Sequence, residues 1–248
     1  MKDKVTKKRR KRMNPFLKIG IFAACIVCIL MILGSPLFKV EEFTVEGNQY
    51  YLKEEILTMG NCKTGGNIFW GTDCADIEER LKKDAYMENV DVKRVLPHTI
   101  AITLTERKQI AAIVYGEKYV VIDAGGTVLR KTEVNPKVTI LSGITISKLE
   151  VGTIIEVEEK VRFRQILELL KVSEKNNMYF KKITVSKTSI QPYILDNLLC
   201  EGTPEDIIDA VTEGRLQIVT EELFDKGIER GVIKLSEDND ISFSPKID

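Results

Sequence analysis

Period-two alternation of apolar and polar residues recurs along most of this chain and predicts strands. It is clearest in NVDVKRVLPHTIAITLTER, residues 89 to 107. Val90 and Val92 alternate with Asp91 and Lys93, and Ile100, Ile102 and Leu104 alternate with Ala101, Thr103 and Thr105. Pro97-His98 separates the two runs, so the stretch predicts a hairpin turning at the proline. Its apolar positions should share one buried face. Phe43 and Val45 mark a shorter strand in KVEEFTVE. Two helices are predicted between these strands. In LKEEILTM, Leu52, Ile56 and Met59 stand at i, i+4 and i+7, and Gly60 suits the left-handed position that ends a helix. In CADIEERLKKDAY, Ile77 and Leu81 stand at i, i+4 behind Asp73 as cap. Strand, helix, helix, strand, strand fills about 70 residues, enough for a small domain. Both helices should cover one face of its three-stranded sheet.

Beyond Gln109 the alternation continues. IAAIVYGEKYVVIDAGGTVLRK holds three short strands, turning at Gly116-Glu117 and at Asp123 to Gly126. VTILSGI, FKKITVS, SIQPYILD and NLLCEG read as further strands. In EVEEKVRFRQILELLKVSEK the period changes to that of a helix, with Phe163, Ile166, Leu167 and Leu170 on one face. Thr203-Pro204 opens a second helix, threonine as cap and proline in the first position, with Leu216, Val219 and Leu223 along its later turns. The end, GVIKLSEDNDISFSP, reads as two short strands around EDND. This region is α+β and strand-rich, with about two helices.

One stretch has no alternation at all. Ile19 to Phe38 is uninterrupted by charge, and about 20 such residues are enough to cross a bilayer as a helix. Nine Lys/Arg precede it within residues 1 to 18, against Asp3 alone. Since the formal net charge of the chain is zero, a basic tail faces an acidic body. Basic flank followed by apolar run is the pattern of an anchor with its N-terminus in the cytoplasm. A cleaved signal peptide fits less well, because cleavage after Ser35 would place Leu33 where a small residue is needed and Pro36 just beyond the bond. A lipoprotein signal ending at Cys25 would leave an apolar region of about six residues, below the roughly 7–15 expected. KKRRKR abuts the span, which argues against a nucleic-acid role for it.

The search for chemistry is mostly negative. Phosphate-binding glycine loops, H-E-x-x-H, G-x-S-x-G and S-x-x-K are all missing. His98 is the sole histidine. It follows a proline at an exposed turn, where neither an orienting partner nor a shielded pocket is expected, so it reads as a turn residue. Asp123, before Ala-Gly-Gly, also reads as a turn residue. The acid pairs Glu41-Glu42 and Glu158-Glu159 read as solvated faces. Trp70, the sole tryptophan, is expected to pack its loop onto its own domain rather than anchor a partner. Of five cysteines, Cys25 and Cys28 lie in the span; Cys62 and Cys74 bracket a loop and are candidates for pairing, and Cys200 is left over. With no C-x-x-C outside the span, a zinc site is not expected. No catalytic, metal or cofactor residues are assigned.

FKVEEFTVEGNQYYLKEEIL, GGNIFWGTDCADIEERLKK and YMENVDVKRVLPHTIAITLTERKQIA together resemble the POTRA domain of the FtsQ/DivIB family of bacterial cell-division proteins, and YVVIDAGGTVL resembles the opening of that family's β domain. The order of segments matches over nearly the whole chain, although Ala85 and Gln109 stand where the family often has proline. The resemblance implies a cytoplasmic tail at 1–18, a transmembrane helix at 19–38, a POTRA domain (β-α-α-β-β) at 39–108 and a β domain at 109–248. It implies a non-enzymatic scaffold at the cell membrane, concentrated at the septum, without cofactors or nucleic acid. The implied partners are the single-span proteins FtsL and FtsB/DivIC, with the septal peptidoglycan synthase regulated through them. In FtsQ-type relatives a partner strand adds beside the last β-strand, and the corresponding positions here are Leu235, Ile241, Ser242 and Phe243. Two other classes stay open: an anchored cell-wall enzyme, and a POTRA-bearing protein-transport component.

Overall fold

The computed structural model describes residues 15–186, 189–236 and 240–245. Most of the basic tail and most of the EDND turn therefore lie outside the described residues. The chain divides into two compact units, Met1–Leu81 with Val90–Leu104, and Lys82–Asn89 with Thr105–Asp248.

Helix α1 (Pro15–Leu33) is apolar on every side beyond Lys18. Its segment Phe16–Leu33 has a mean hydropathy of 2.8 and buries none of its length in the protein. Such a helix cannot be a core helix; its length and composition suit a bilayer. A short 3-10 turn, Pro36–Phe38, follows.

The rest of the first unit belongs to the β-α-α-β-β module that the alternation predicts. Its elements are β1 (Glu42–Glu46), α2 (Lys53–Met59), α3 (Cys74–Leu81), β2 (Met87–Val95) and β3 (Thr99–Glu106). The sheet order is β1-β3-β2, with β1 parallel to β3 in the register Phe43↔Ile100 and Val45↔Ile102. Val90, Val92, Ile100, Ile102 and Leu104 are all buried, together with Phe43, Ile56, Ile77 and Leu81. One face of the hairpin thus closes the interior, as period two requires. The hairpin turns through a cis Leu96-Pro97 bond. Asp73 Oδ1 accepts from the N–H groups of Ala75 and Asp76 at 3.0 and 3.4 Å, capping α3.

Helix α2 departs from its expected phase. Leu52 is its N-cap, outside the helix, and its side chain stays exposed. The Leu52 N–H donates to Glu55 Oε2 at 2.8 Å, the acidic half of a capping box. Gly60 remains right-handed at φ −71°, and Asn61 takes the left-handed step at φ 51°. Asparagine tolerates that conformation well enough to displace the glycine from the role.

The second unit is a nine-stranded sheet. Its strands are β4 (Ala111–Tyr115), β5 (Lys118–Ile122), β6 (Val128–Thr132), β7 (Thr139–Ser142), β10 (Lys182–Val185), β11 (Ile190–Leu195), β12 (Asn197–Glu201), β13 (Arg230–Leu235) and β14 (Ile241–Ser244). A separate two-stranded ribbon joins β8 (Ile146–Lys148) to β9 (Glu156–Val157). The order across the large sheet is β14-β13-β12-β11-β10-β7-β4-β5-β6. Helix α4 (Lys160–Lys175) links the parallel strands β7 and β10, and α5 (Pro204–Thr212) with α6 (Arg215–Asp225) links the parallel strands β12 and β13. All three helices contribute to one core: Phe163, Ile166 and Leu169 from α4, Ile207 and Val211 from α5, and Leu216 and Leu223 from α6, against Ile113, Leu141, Ile183 and Ile233 of the strands.

The helix expected after Thr203 is capped as the sequence suggests, Thr203 Oγ1 accepting from Asp206 N at 3.2 Å with Pro204 in the first position. It is divided, however. Gly214 adopts φ 75° and reverses the chain, so Leu216, Val219 and Leu223 lie on a separate helix. A left-handed residue cannot continue a right-handed helix, and glycine takes it without steric cost.

Candidate functional site

The residues that chemistry would most naturally recruit are occupied structurally. Asp123 Oδ1 accepts from Gly125 N at 2.9 Å and Thr127 N at 2.7 Å, and its Oδ2 accepts from Arg107 Nη1 at 2.9 Å. This carboxylate closes the β5–β6 turn. The His98 main-chain carbonyl accepts from Glu41 N at 2.9 Å, steadying the approach to β1, and its Nδ1 lies 3.4 Å from Thr99 Oγ1. Glu159 binds the backbone N–H and the hydroxyl of Thr145 at 2.9 and 3.0 Å, and the N–H bond above all holds its carboxyl below the usual range. It ties the start of α4 to the β7–β8 connection. Cys62, Cys74 and Cys200 are free thiols. Burial pushes Cys62 up to about 11 against the opposing pull of Arg80, and pushes Cys200 up to about 12. Such thiols are poor nucleophiles at neutral pH. Among the described residues, no group of three or more His, Cys, Asp or Glu is placed to hold a metal ion.

The surface feature that remains is the end of the large sheet. Strand β14 is its last strand, paired antiparallel with β13 in the register Leu235↔Ile241, Lys234↔Ser242, Ile233↔Phe243 and Val232↔Ser244. Ser236 N donates to Asp240 O at 3.2 Å. In an antiparallel ladder, hydrogen-bonded pairs alternate with non-bonded ones. Ser242 and Ser244 therefore spend their backbone groups on β13, while the N–H and C=O groups of Ile241 and Phe243 point away from the sheet. Among the described residues no strand pairs with that side.

The side chains divide the other way. Ile241 and Phe243 are half-buried and pack against the core; Ser242 and Ser244 are exposed. Gly231 makes room for the aromatic ring. A Cβ there would lie 2.5 Å from Phe243 Cε2 and 2.7 Å from Ser244 O, and its φ of +144° itself favours glycine. Leu235 lies one strand further in, buried, with its Cβ 3.0 Å from where a Cβ on Gly202 would be. The structure thus brings Leu235, Ile241 and Phe243 together on one face and puts Ser242 on the other. Gly231 escapes sequence reasoning, since a glycine near the start of one strand gives no sign of a ring at the third position of the next.

An apolar N-terminal helix, a β-α-α-β-β module and a strand-rich domain with an open edge define the class: a POTRA-bearing protein with one candidate membrane anchor among the described residues. Comparison with known proteins narrows this. Residues 38–107 match the POTRA domain, FtsQ-type. The chain is 31% identical over 206 residues to the cell division protein DivIB of Clostridium acetobutylicum, covering 81% of this chain and 82% of that protein. It is 26% identical over 136 residues to DivIB of Bacillus subtilis, covering 55% of this chain and 50% of that one. Its match to FtsQ of Geotalea daltonii is 28% over 145 residues, again half of the relative's length. The major extracytoplasmic domain of DivIB from Geobacillus stearothermophilus aligns at 14% identity and a TM-score of 0.29, over 44% of this chain and 87% of that one, too slight a likeness to argue from. The chain belongs to the DivIB/FtsQ family of cell-division proteins. A role in division, with protein partners in the division complex, follows.

Proposed function

We propose that this chain is a non-enzymatic scaffold of the division complex, holding a docking ectodomain on one membrane span. In this reading residues 1–18 are a cytoplasmic tail, 19–38 the span, 39–108 the POTRA domain and 109–248 the β domain. The bulk of the chain lies outside the cytoplasm and collects at the septum. Its partners are single-span division proteins of the FtsL and FtsB/DivIC kinds, and docking them regulates the septal peptidoglycan synthase.

The observation that carries this reading is the open side of β14. A partner segment in extended conformation adds there as a tenth strand, bonded to the outward backbone groups of Ile241 and Phe243. Leu235 supports Ile241 from behind, and Ser242 offers a hydroxyl on the opposite face. Open edges are otherwise a liability in a secreted sheet. Family membership and the basic, then apolar, N-terminus support the remainder.

Ile241→Pro tests the edge. Proline removes the outward N–H and leaves the bonds of Ser242 and Ser244 to β13 intact. One lost hydrogen bond of about 0.5–1.5 kcal/mol weakens the partner pair by roughly two- to tenfold. Co-purification from membranes and a titration of the ectodomain should both show the loss. Unchanged binding by a folded Ile241→Pro protein contradicts docking at β14. A C-terminal reporter that is active only in the cytoplasm contradicts the topology, and turnover of cell-wall substrate by the purified ectodomain contradicts the scaffold.

A further inference from the structure

Trp70 does not pack into its own domain: it is 61% exposed, at the tip of a turn that is otherwise tightly built. Gly71 N donates to Asn67 O at 2.7 Å, and Asn67 Oδ1 accepts from Phe69 N at 2.9 Å. A Cβ on Gly71 would collide with Asn67 N, so the turn admits no larger residue there. Arg94 holds both ends, Nε donating to Ile68 O at 2.6 Å and Nη2 to Thr72 O at 2.9 Å. A large aromatic ring is displayed on a rigid mount.

The mount is fastened to the end of the apolar helix. Asn67 Nδ2 donates to the Leu33 carbonyl at 2.8 Å, capping the last turn of α1. Ile68 N donates to Phe38 O at 2.8 Å. The Phe38 and Phe69 rings are 5.3 Å apart, and the Phe69 and Trp70 rings 6.0 Å. A Cβ on Gly34 would lie 4.0 Å from Trp70 Cζ2. With Leu37, 62% exposed, these groups form an apolar strip continuous with the lower end of the helix.

We propose that this strip is a second membrane contact: Trp70, Leu37 and the Phe38–Phe69 pair sit in the headgroup–acyl boundary of the bilayer that α1 crosses, and fix the POTRA-type module against it. The proposal rests on α1 being a membrane anchor. Its occupant follows from continuity, because a strip joined by hydrogen bonds to the last turn of a span ends where the hydrocarbon ends. Tryptophan suits that layer, having an apolar body and one N–H for the wet side.

As the sole tryptophan in the chain, Trp70 reports on itself without labelling. The full-length protein is placed in nanodiscs of phosphatidylethanolamine and phosphatidylglycerol, with lipids brominated either near the glycerol or near the chain ends. Co-elution with the discs establishes the anchor. The emission of Trp70 should be blue-shifted, largely lost with the shallow bromolipid, little changed with the deep one, and protected from aqueous iodide. A Tyr50→Trp substitution in a Trp70→Phe background places the probe beyond the far end of β1, and should behave in the opposite way. Disc-bound protein whose Trp70 is quenched by iodide as freely as that control, and is untouched by bromolipid, overturns the lipid contact alone. The same holds if Trp70 becomes shielded only when a partner protein is added. Failure to co-elute overturns the anchor, and this inference with it.

Discussion

Gly231 and Phe243 compete for one volume, and the sheet edge exists because glycine yields it. Gly231→Ala drives a Cβ into the ring and asks alanine for a φ of +144°. Overpacking of this kind costs about 1–3 kcal/mol, and here the cheapest relief is to detach β14. Urea unfolding should show the loss of stability, and partner affinity should fall with it; a variant with full stability and affinity would mean that the ring does not sit over Gly231. Cys200 makes a separate case. Its thiol is pushed up to about 12 by burial, from 9.0 in the open chain. As the pH rises above about 9, the unfolded chain gives up this proton first and so binds fewer protons than the folded one. Stability is therefore unaffected by this group below that range and declines from about pH 9 towards 12. Cys62 adds to the decline in the same direction. Denaturant midpoints measured across that range should fall less steeply for Cys200→Ala than for the parent, and equal slopes would contradict a buried Cys200.

At the scale of elements, the β2–β3 hairpin and the β13–β14 hairpin carry different loads. Ile100 lies in the central strand of its sheet and is fully buried. Ile100→Ala should cost about 2–5 kcal/mol, whereas Thr103→Ala on the exposed face of the same strand should stay within about 0.5 kcal/mol. Thermal or urea melts of the two variants decide this, and similar losses in both would contradict the assigned faces. In β14 the test is directional: Ser242→Pro breaks the ladder to β13 and should destabilise the hairpin, while Ile241→Pro should leave it standing. The difference between these hairpins also explains what the sequence could show. Alternation around Pro97-His98 is local, so both strands, their buried face and the turn were legible. The division of the last helical region at Gly214 was not, because apolar residues at helical spacing continue on both sides of it, Ile207 and Val211 before and Leu216, Val219 and Leu223 after, around a residue whose φ is free. The ribbon of β8 and β9 was missed because strands of three and two residues carry no period. That β14 is an outer strand was legible only through the family resemblance. Which strand lies at an edge depends on parallel pairings such as β12 with β13, across two helices, and no local pattern records them.

For the molecule as a whole, the proposed function sits at its boundaries. The acids that might have formed a site are spent on turns and helix starts, and the buried thiols are held protonated. What the chain offers instead is an apolar helix at one end and, near the other, a strand whose outer side has no partner among the described residues. The claim on which the scaffold depends is that a partner adds a strand to β14. Amide-resolved hydrogen exchange on the ectodomain, with and without the FtsL and DivIC-type pair, tests it most directly. In the free protein the Ile241 and Phe243 amides point to water and should exchange fast, while those of Ser242 and Ser244, bonded to β13, should be slower. On binding, Ile241 and Phe243 should become strongly protected. A complex that forms while these two amides go on exchanging at their free rate would contradict strand addition at this edge.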